Sequence, residues 1–248
     1  MAYTDIDKSD DYFETKLYTG NATNRNITGL DFQPDWVWVK CRSTADGHVT
    51  SDSVRGANKQ LFPNTTDQEF SATTQITSFN SDGFGLGTDS GVNGNGRTFA
   101  SWNWKAGGTA SSNTDGSITS SVSANQDAGF SIVSFDLTSL TGNQTVGHGL
   151  NTAPKVVITK RRSGGAGDWT SYFGAIGNSY LVLNRTSAAA TSSSFMNNTA
   201  PTSSVFTVGD PSWWGANPFI AYCFAEKQGY SKFGSYKGNG SSNGAFIY

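Results

Sequence analysis

The chain has 248 residues, with 17 basic side chains against 19 acidic ones for a formal net charge of −2, and only 15% of its residues are charged. Glycine occurs 29 times, aromatic residues reach 13%, and Ser and Thr together make up about a quarter. At roughly 150 residues per domain this is one or two domains; the aromatic content excludes a disordered chain, the lack of net positive charge argues against a nucleic-acid partner, and no apolar run approaches the roughly 20 residues of a membrane-spanning helix.

Residues 1–9 read as a solvated acidic tail, and Met1-Ala2-Tyr3-Thr4-Asp5 has neither the basic nor the apolar region of a secretory signal. The first strong strand is Trp36-Val37-Trp38-Val39-Lys40-Cys41. Its period is two: Trp36, Trp38 and Lys40 point one way, Val37, Val39 and Cys41 the other. Arg55–Gln60 is a candidate short helix without a convincing cap, as is Ala188-Ala189-Ala190 further on. Ser81-Asp82-Gly83 and Asn93-Gly94-Asn95-Gly96 supply turns, followed by the strand Phe99–Trp104. Gly107–Asp127, rich in Gly, Ser and Asn, reads as a connection. Beyond it, Phe130–Phe135, Val156-Val157-Ile158 and Ser204–Val208 are strands, and the second is apolar on both faces, as expected between two layers. Strands about every ten residues with almost no helical pattern indicate an all-β fold of β-sandwich domains.

An internal repeat organises these strands. Pro34–Ser43 aligns with Pro154–Ser163, Lys59–Thr66 with Ser179–Thr186, and Phe99–Trp104 with Phe219–Phe224, all at an offset of 120. The expected layout is a tail (1–9), a first repeat (10–108), a linker (109–126), a second repeat (127–228) and a partial third (229–248). In the last, Phe233–Gly240 resembles Glu14–Asn21.

The chemistry-bearing residues are few. Cys41 and Cys223 are too few for a disulfide framework or a zinc site and are expected as free buried thiols. His48 and His148 are the sole histidines and do not occupy matching positions in the repeat, so no hydrolytic triad is read from them. Glu14, Glu69 and Glu226 are the only glutamates, and Asp82, Asp89 and Asp115 read as turn caps, which leaves no glycosidase pair. Asn93–Gly96 lacks the helix and the Lys-Ser/Thr of a phosphate loop. No cofactor and no metal ligand set is expected, and the chain reads as a non-enzyme. The candidate ligand site is an aromatic platform for a neutral glycan, built on Trp169, Trp213 and Trp214 with His48; the competing expectation is that these rings pack in the core or against a neighbouring subunit. Tyr236, Phe246, Ile247 and Tyr248 are candidate assembly residues, because an apolar strand at 230–248 can add to the sheet of a neighbour.

Several motifs carry a family resemblance: Gly29-Leu30-x-Phe32-x-Pro34-Asp35-Trp36-Val37-Trp38-Val39-Lys40, Ser53-Val54-Arg55-Gly56-Ala57, Phe79-x-Ser81-Asp82-Gly83-Phe84-x-Leu86-Gly87 and Tyr230–Tyr236. Together they resemble the repeated β-domains of virion structural proteins of marine tailed bacteriophages, especially those infecting cyanobacteria. The resemblance implies lectin-like jelly-roll sandwiches in a fibre, tail or capsid-surface component. Its partners would be copies of itself or other virion proteins, and it would be exposed on the extracellular particle. A glycan-binding adhesin for host polysaccharide is the alternative. The second copy departs from the pattern at Ala175-Ile176-Gly177, where the first has Arg55-Gly56-Ala57.

Overall fold

The structure, a computed structural model, describes residues 4, 6–138 and 141–244. The first half contributes β1 (Phe13–Thr19), β2 (Arg25–Thr28), β3 (Trp36–Cys41), β4 (His48–Asp52), β5 (Lys59–Gln60), β6 (Phe70–Ser71), β7 (Ile76–Asn80), β8 (Gly83–Leu86) and β9 (Thr98–Trp104). The second contributes β10 (Ser111–Asn113), β11 (Ser120–Asn125), β12 (Phe130–Asp136), β13 (Gln144–Gly147), β14 (Val156–Arg161), β15 (Trp169–Phe173), β16 (Ser179–Val182), β17 (Ala190–Thr191), β18 (Val205–Val208) and β19 (Pro218–Phe224). Single-turn helices α1 (Ser90–Asn93), α2 (Ser193–Met196) and α3 (Pro211–Trp214) interrupt them. The fold is all-β and sandwich-like, as expected, and its sheets are antiparallel.

In the first half a sheet of order β1-β9-β3-β4 packs on a second of order β2-β8-β7. In the other half a sheet of order β10-β11-β12-β19-β14-β15-β16-β17 packs on the pair β13-β18. The order β1-β9-β3-β4 recurs as β12-β19-β14-β15, and β2-β8 as β13-β18. The register recurs too: Trp36 pairs with Asp52 as Val156 pairs with Phe173.

Alternation decides what each strand face buries. Val37, Val39 and Cys41 join Ile27, Phe84 and Phe99 in the core of the first sandwich. Val133, Phe135, Val157, Phe219, Ala221 and Cys223 join Val146, Phe206 and Val208 in the core of the second. The opposite faces of the two large sheets meet in a third core of Trp36, Leu61, Phe130, Ile132, Trp169, Ile220 and Tyr222. There the Trp36 ring stacks on Tyr222, with centroids 4.0 Å apart and planes at 12°. Both faces of β3, β12, β14 and β19 are therefore buried, which accounts for the apolar residues on both sides of these strands.

Four expectations change. Residues 109–126 are not a plain linker, because they supply β10 and β11, and β11 pairs along β12. This needs two tight glycines. Gly129 turns β11 into β12 at φ +67°, and a Cβ on Gly107 would lie 2.4 Å from Ala124 O. Arg55–Gln60 is a turn running into β5, and Ala190 begins β17, so neither forms a helix. His48 and Trp169, which follow turn-rich sequence and suggest loop positions, are the first residues of β4 and β15. Residues 234–244 form no strand, and Phe246, Ile247 and Tyr248 lie outside the described residues.

Candidate functional site

The aromatic residues expected to form one platform are dispersed. Trp169 is fully buried in the core between the halves, and its indole N–H donates to Phe62 O at 3.0 Å. No ligand in solution can stack on it, because β15 starts where the first half covers the sheet. Trp214 is also buried: its indole N–H donates to Phe195 O at 2.8 Å, and its ring stacks on Phe195 and meets Phe135 and Phe219 edge-on. Only Trp213 faces solvent, at 40% exposure, held edge-on to Tyr180 with centroids 5.8 Å apart. The short helix α3 explains the split. It occupies the place of α1 in the first half, and adjacent residues on one turn point in different directions.

Trp213 stands at the rim of a cleft of about 460 Å³ over β14, β15 and β16, whose other walls include Arg161, Asp168, Thr170, Tyr180 and Arg185. Asp168 is held on three sides: Arg185 Nε and Asn184 Nδ2 each donate to one oxygen at 2.9 Å, and Arg185 Nη2 lies 2.8 Å from the other. The Nε of Arg161 is buried with no partner in the protein, while another of its N–H groups donates to Ala166 O. Aromatic faces beside a carboxylate, guanidinium groups and a threonine hydroxyl suit a hydroxylated ligand that both stacks and hydrogen-bonds.

Neither histidine belongs to this cleft. His48 Nδ1 accepts the indole N–H of Trp38 at 2.8 Å, and burial together with the nearby Lys40 ammonium lowers its pKa, so the ring is neutral. His148 is fully buried in the irregular segment directly after β13; its Nδ1 accepts the Leu150 N–H at 3.2 Å, which leaves the Nε2 proton to donate to Thr202 O at 3.1 Å. Burial lowers its pKa as well. Cys41 and Cys223 are free and buried. Tyr236 is 69% exposed.

A second constellation was not read from the sequence. The side chains of Asp52 and Arg55 are fully buried, with Arg55 Nε 2.6 Å from an Asp52 carboxylate oxygen and the Arg55 backbone N–H donating to the other. The phenol of Tyr222, from the second half, donates to Asp52 at 2.7 Å. Arg55 also reaches Glu69 at 3.2 Å, and Glu69 in turn accepts from Arg162 of the second half at 2.8 Å. The chain of charges runs Asp52–Arg55–Glu69–Arg162 and crosses between the halves. The available signal was the departure at Ala175–Gly177: the arginine of Arg55-Gly56-Ala57 has no counterpart in the second copy, where Ala175 stands.

No curated protein and no solved structure matches the chain. The family described as "Domain of unknown function (DUF7483)" matches residues 8–248. Since that match spans nearly the whole chain, the protein belongs to this family.

Proposed function

We propose that this chain is a structural component of a tailed-phage virion, a fibre, tail or capsid-surface element that works by subunit assembly. The single observation that carries the reading is the seam between the halves. A stacked aromatic core and the Asp52–Arg55–Glu69–Arg162 chain join two sandwiches into one stiff body. Stiffness of this kind is what a particle component needs, and the sequence motifs resembling repeated virion β-domains agree with it. The low charge supports it as well, because the buried centre of a subunit contact is depleted of charged residues. The natural partners are further copies of the chain or other virion proteins. The test is the molar mass of the purified full chain by light scattering. A defined oligomer or polymer is expected; a monomer at every concentration overturns the assembly reading.

The Trp213 cleft favours a second reading, a glycan-binding adhesin exposed on the particle. Here a pyranose ring would stack on Trp213 while its hydroxyls meet Asp168 and Arg185. Trp213→Ala should abolish retention on a host-polysaccharide column and leave the molar mass unchanged. Equal retention of both proteins rejects this reading.

A further inference from the structure

β1 is the longest strand at a sheet edge among the described residues: it has seven residues, with β9 on one side and no strand on the other. Its counterpart β12 is not an edge, because β11 lies along it and pairs Ser121–Asn125 with Phe130–Ser134. The same edge thus accepts an antiparallel strand in one half and, among the described residues, stands open in the other. In the first half the described residues before β1 hold a 3₁₀ turn, Ser9–Asp11, and no strand.

The groups on the open side can be named. Lys105 N–H donates to Tyr12 O and Gly20 N–H donates to Arg97 O, in a register that pairs Phe13 with Trp104. Residues 14, 16 and 18 therefore exchange backbone hydrogen bonds with β9, and Phe13, Thr15, Leu17 and Thr19 aim theirs outward. Arg25 already donates to Thr19 O at 2.8 Å. Leu17, within the free stretch, is 64% exposed.

We propose that a second copy of this chain pairs with this edge, β1 antiparallel on β1, about a two-fold axis at Thr15. The proposal rests on the assembly reading above and deepens it by naming a contact. Phe13-Glu14-Thr15-Lys16-Leu17 is complementary to its own reverse: apolar, acid, threonine, base, apolar. Centred on Thr15, each Glu14 faces Lys16 of the other copy, and each exposed Leu17 gains a Phe13 ring. A slip of two residues either way keeps the outward groups paired but sets Glu14 on Glu14 or Lys16 on Lys16, and like charges directly opposite are destabilising. Charges on an edge strand ordinarily discourage pairing; in this order they select one register. The product is a continuous sheet across two subunits with an isologous contact.

The test is sedimentation velocity of the full chain over a concentration series, for the wild type, Glu14→Lys, Lys16→Glu and the double swap. The wild type should form a dimer. Each single swap should raise the dissociation constant about ten-fold, since the symmetry repeats the charge pair twice, and the double swap should restore it. Both side chains are partly exposed and already pair with each other within one chain, Lys16 Nζ lying 2.5 Å from Glu14 Oε1; unchanged unfolding midpoints across all four proteins will show that the swaps act on pairing between copies and not on folding. If the wild type associates and the single swaps change nothing, β1 pairing is overturned while the assembly reading stands. A double swap that fails to restore association also overturns self-pairing. Loss of association on removing residues 234–248, with silent charge swaps, assigns the contact to the C-terminal segment and overturns it too. A wild type that never associates removes both readings.

Discussion

Lys160 is fully buried, and its ammonium donates to two carbonyl oxygens, Thr66 O at 3.0 Å and Gly167 O at 2.5 Å, one from each half. It forms no ion pair among the described residues, and its charge lies 5.7 Å from the Trp169 ring centre. Burial pushes its pKa down from 10.5 to about 8, although Asp67 and Asp168 pull the other way. Between pH 8 and 10.5 the unfolded lysine still holds a proton that the folded one has lost. The unfolded state then binds more protons, so this group makes stability rise with pH across that window; below pH 8 its penalty is constant and at its largest. Cys223 acts in the opposite sense. Burial raises its pKa from 9.0 to about 12, so above pH 9 the unfolded thiol ionises first and stability falls. Below pH 9 Cys223 does not yet contribute, so the window in which to read Lys160 is pH 8 to 9. Across it the urea midpoint of the wild type should climb relative to that of Lys160→Met, which lacks the titrating amine. Parallel midpoints in the two proteins would show that Lys160 stays charged in the fold.

Alternation was legible at the level of elements because it is local. Trp36 and Trp38 do face away from Val37, Val39 and Cys41, and the doubly apolar Val156-Val157-Ile158 does lie between layers. β10 and β11 were not legible, for a physical reason: Ser111–Asn113 and Ser120–Asn125 contain one large apolar residue between them, Val122. They are strands because the edge of β12 offers hydrogen bonds and Val133 offers Val122 a partner, and neither condition is written in their own sequence. The burial of Trp169 was not legible for a related reason. The glycines at Gly164 and Gly165 signal a loop, while what buries the ring is the other half of the molecule. In the candidate cleft, Trp213 was readable as an unusual surface aromatic. Asp168, Arg185 and Arg161 were not, because β14, β15 and the loop after β16 bring them together only after folding. The Asp52–Tyr222 bond spans 170 positions and leaves no local trace.

At the scale of the whole molecule, the internal repeat suggests two units that fold alone, whereas the seam predicts one. Trp36 belongs to the first half by sequence, yet it stacks on Tyr222 and lies 5.9 Å from Phe130, both of the second half. Tyr222 of the second half covers Asp52 and Arg55; separating the halves would break that contact beside an apolar surface and also uncover Trp169 and Ile220. The two sandwiches should therefore melt together. At about 0.7 kcal/mol per residue near 60 °C, a single transition of this chain carries roughly 170 kcal/mol, and independent halves would each carry about half of that. Calorimetry should give one transition with the larger enthalpy and agreement between its calorimetric and van 't Hoff values. Trp36→Ala sharpens the test. Removing a fully buried indole should cost about 3–5 kcal/mol. In a coupled molecule that loss lowers one transition as a whole. In an uncoupled one it lowers the first half alone and leaves a second peak at the original temperature, and that second peak would refute the seam as the element that makes the chain one body.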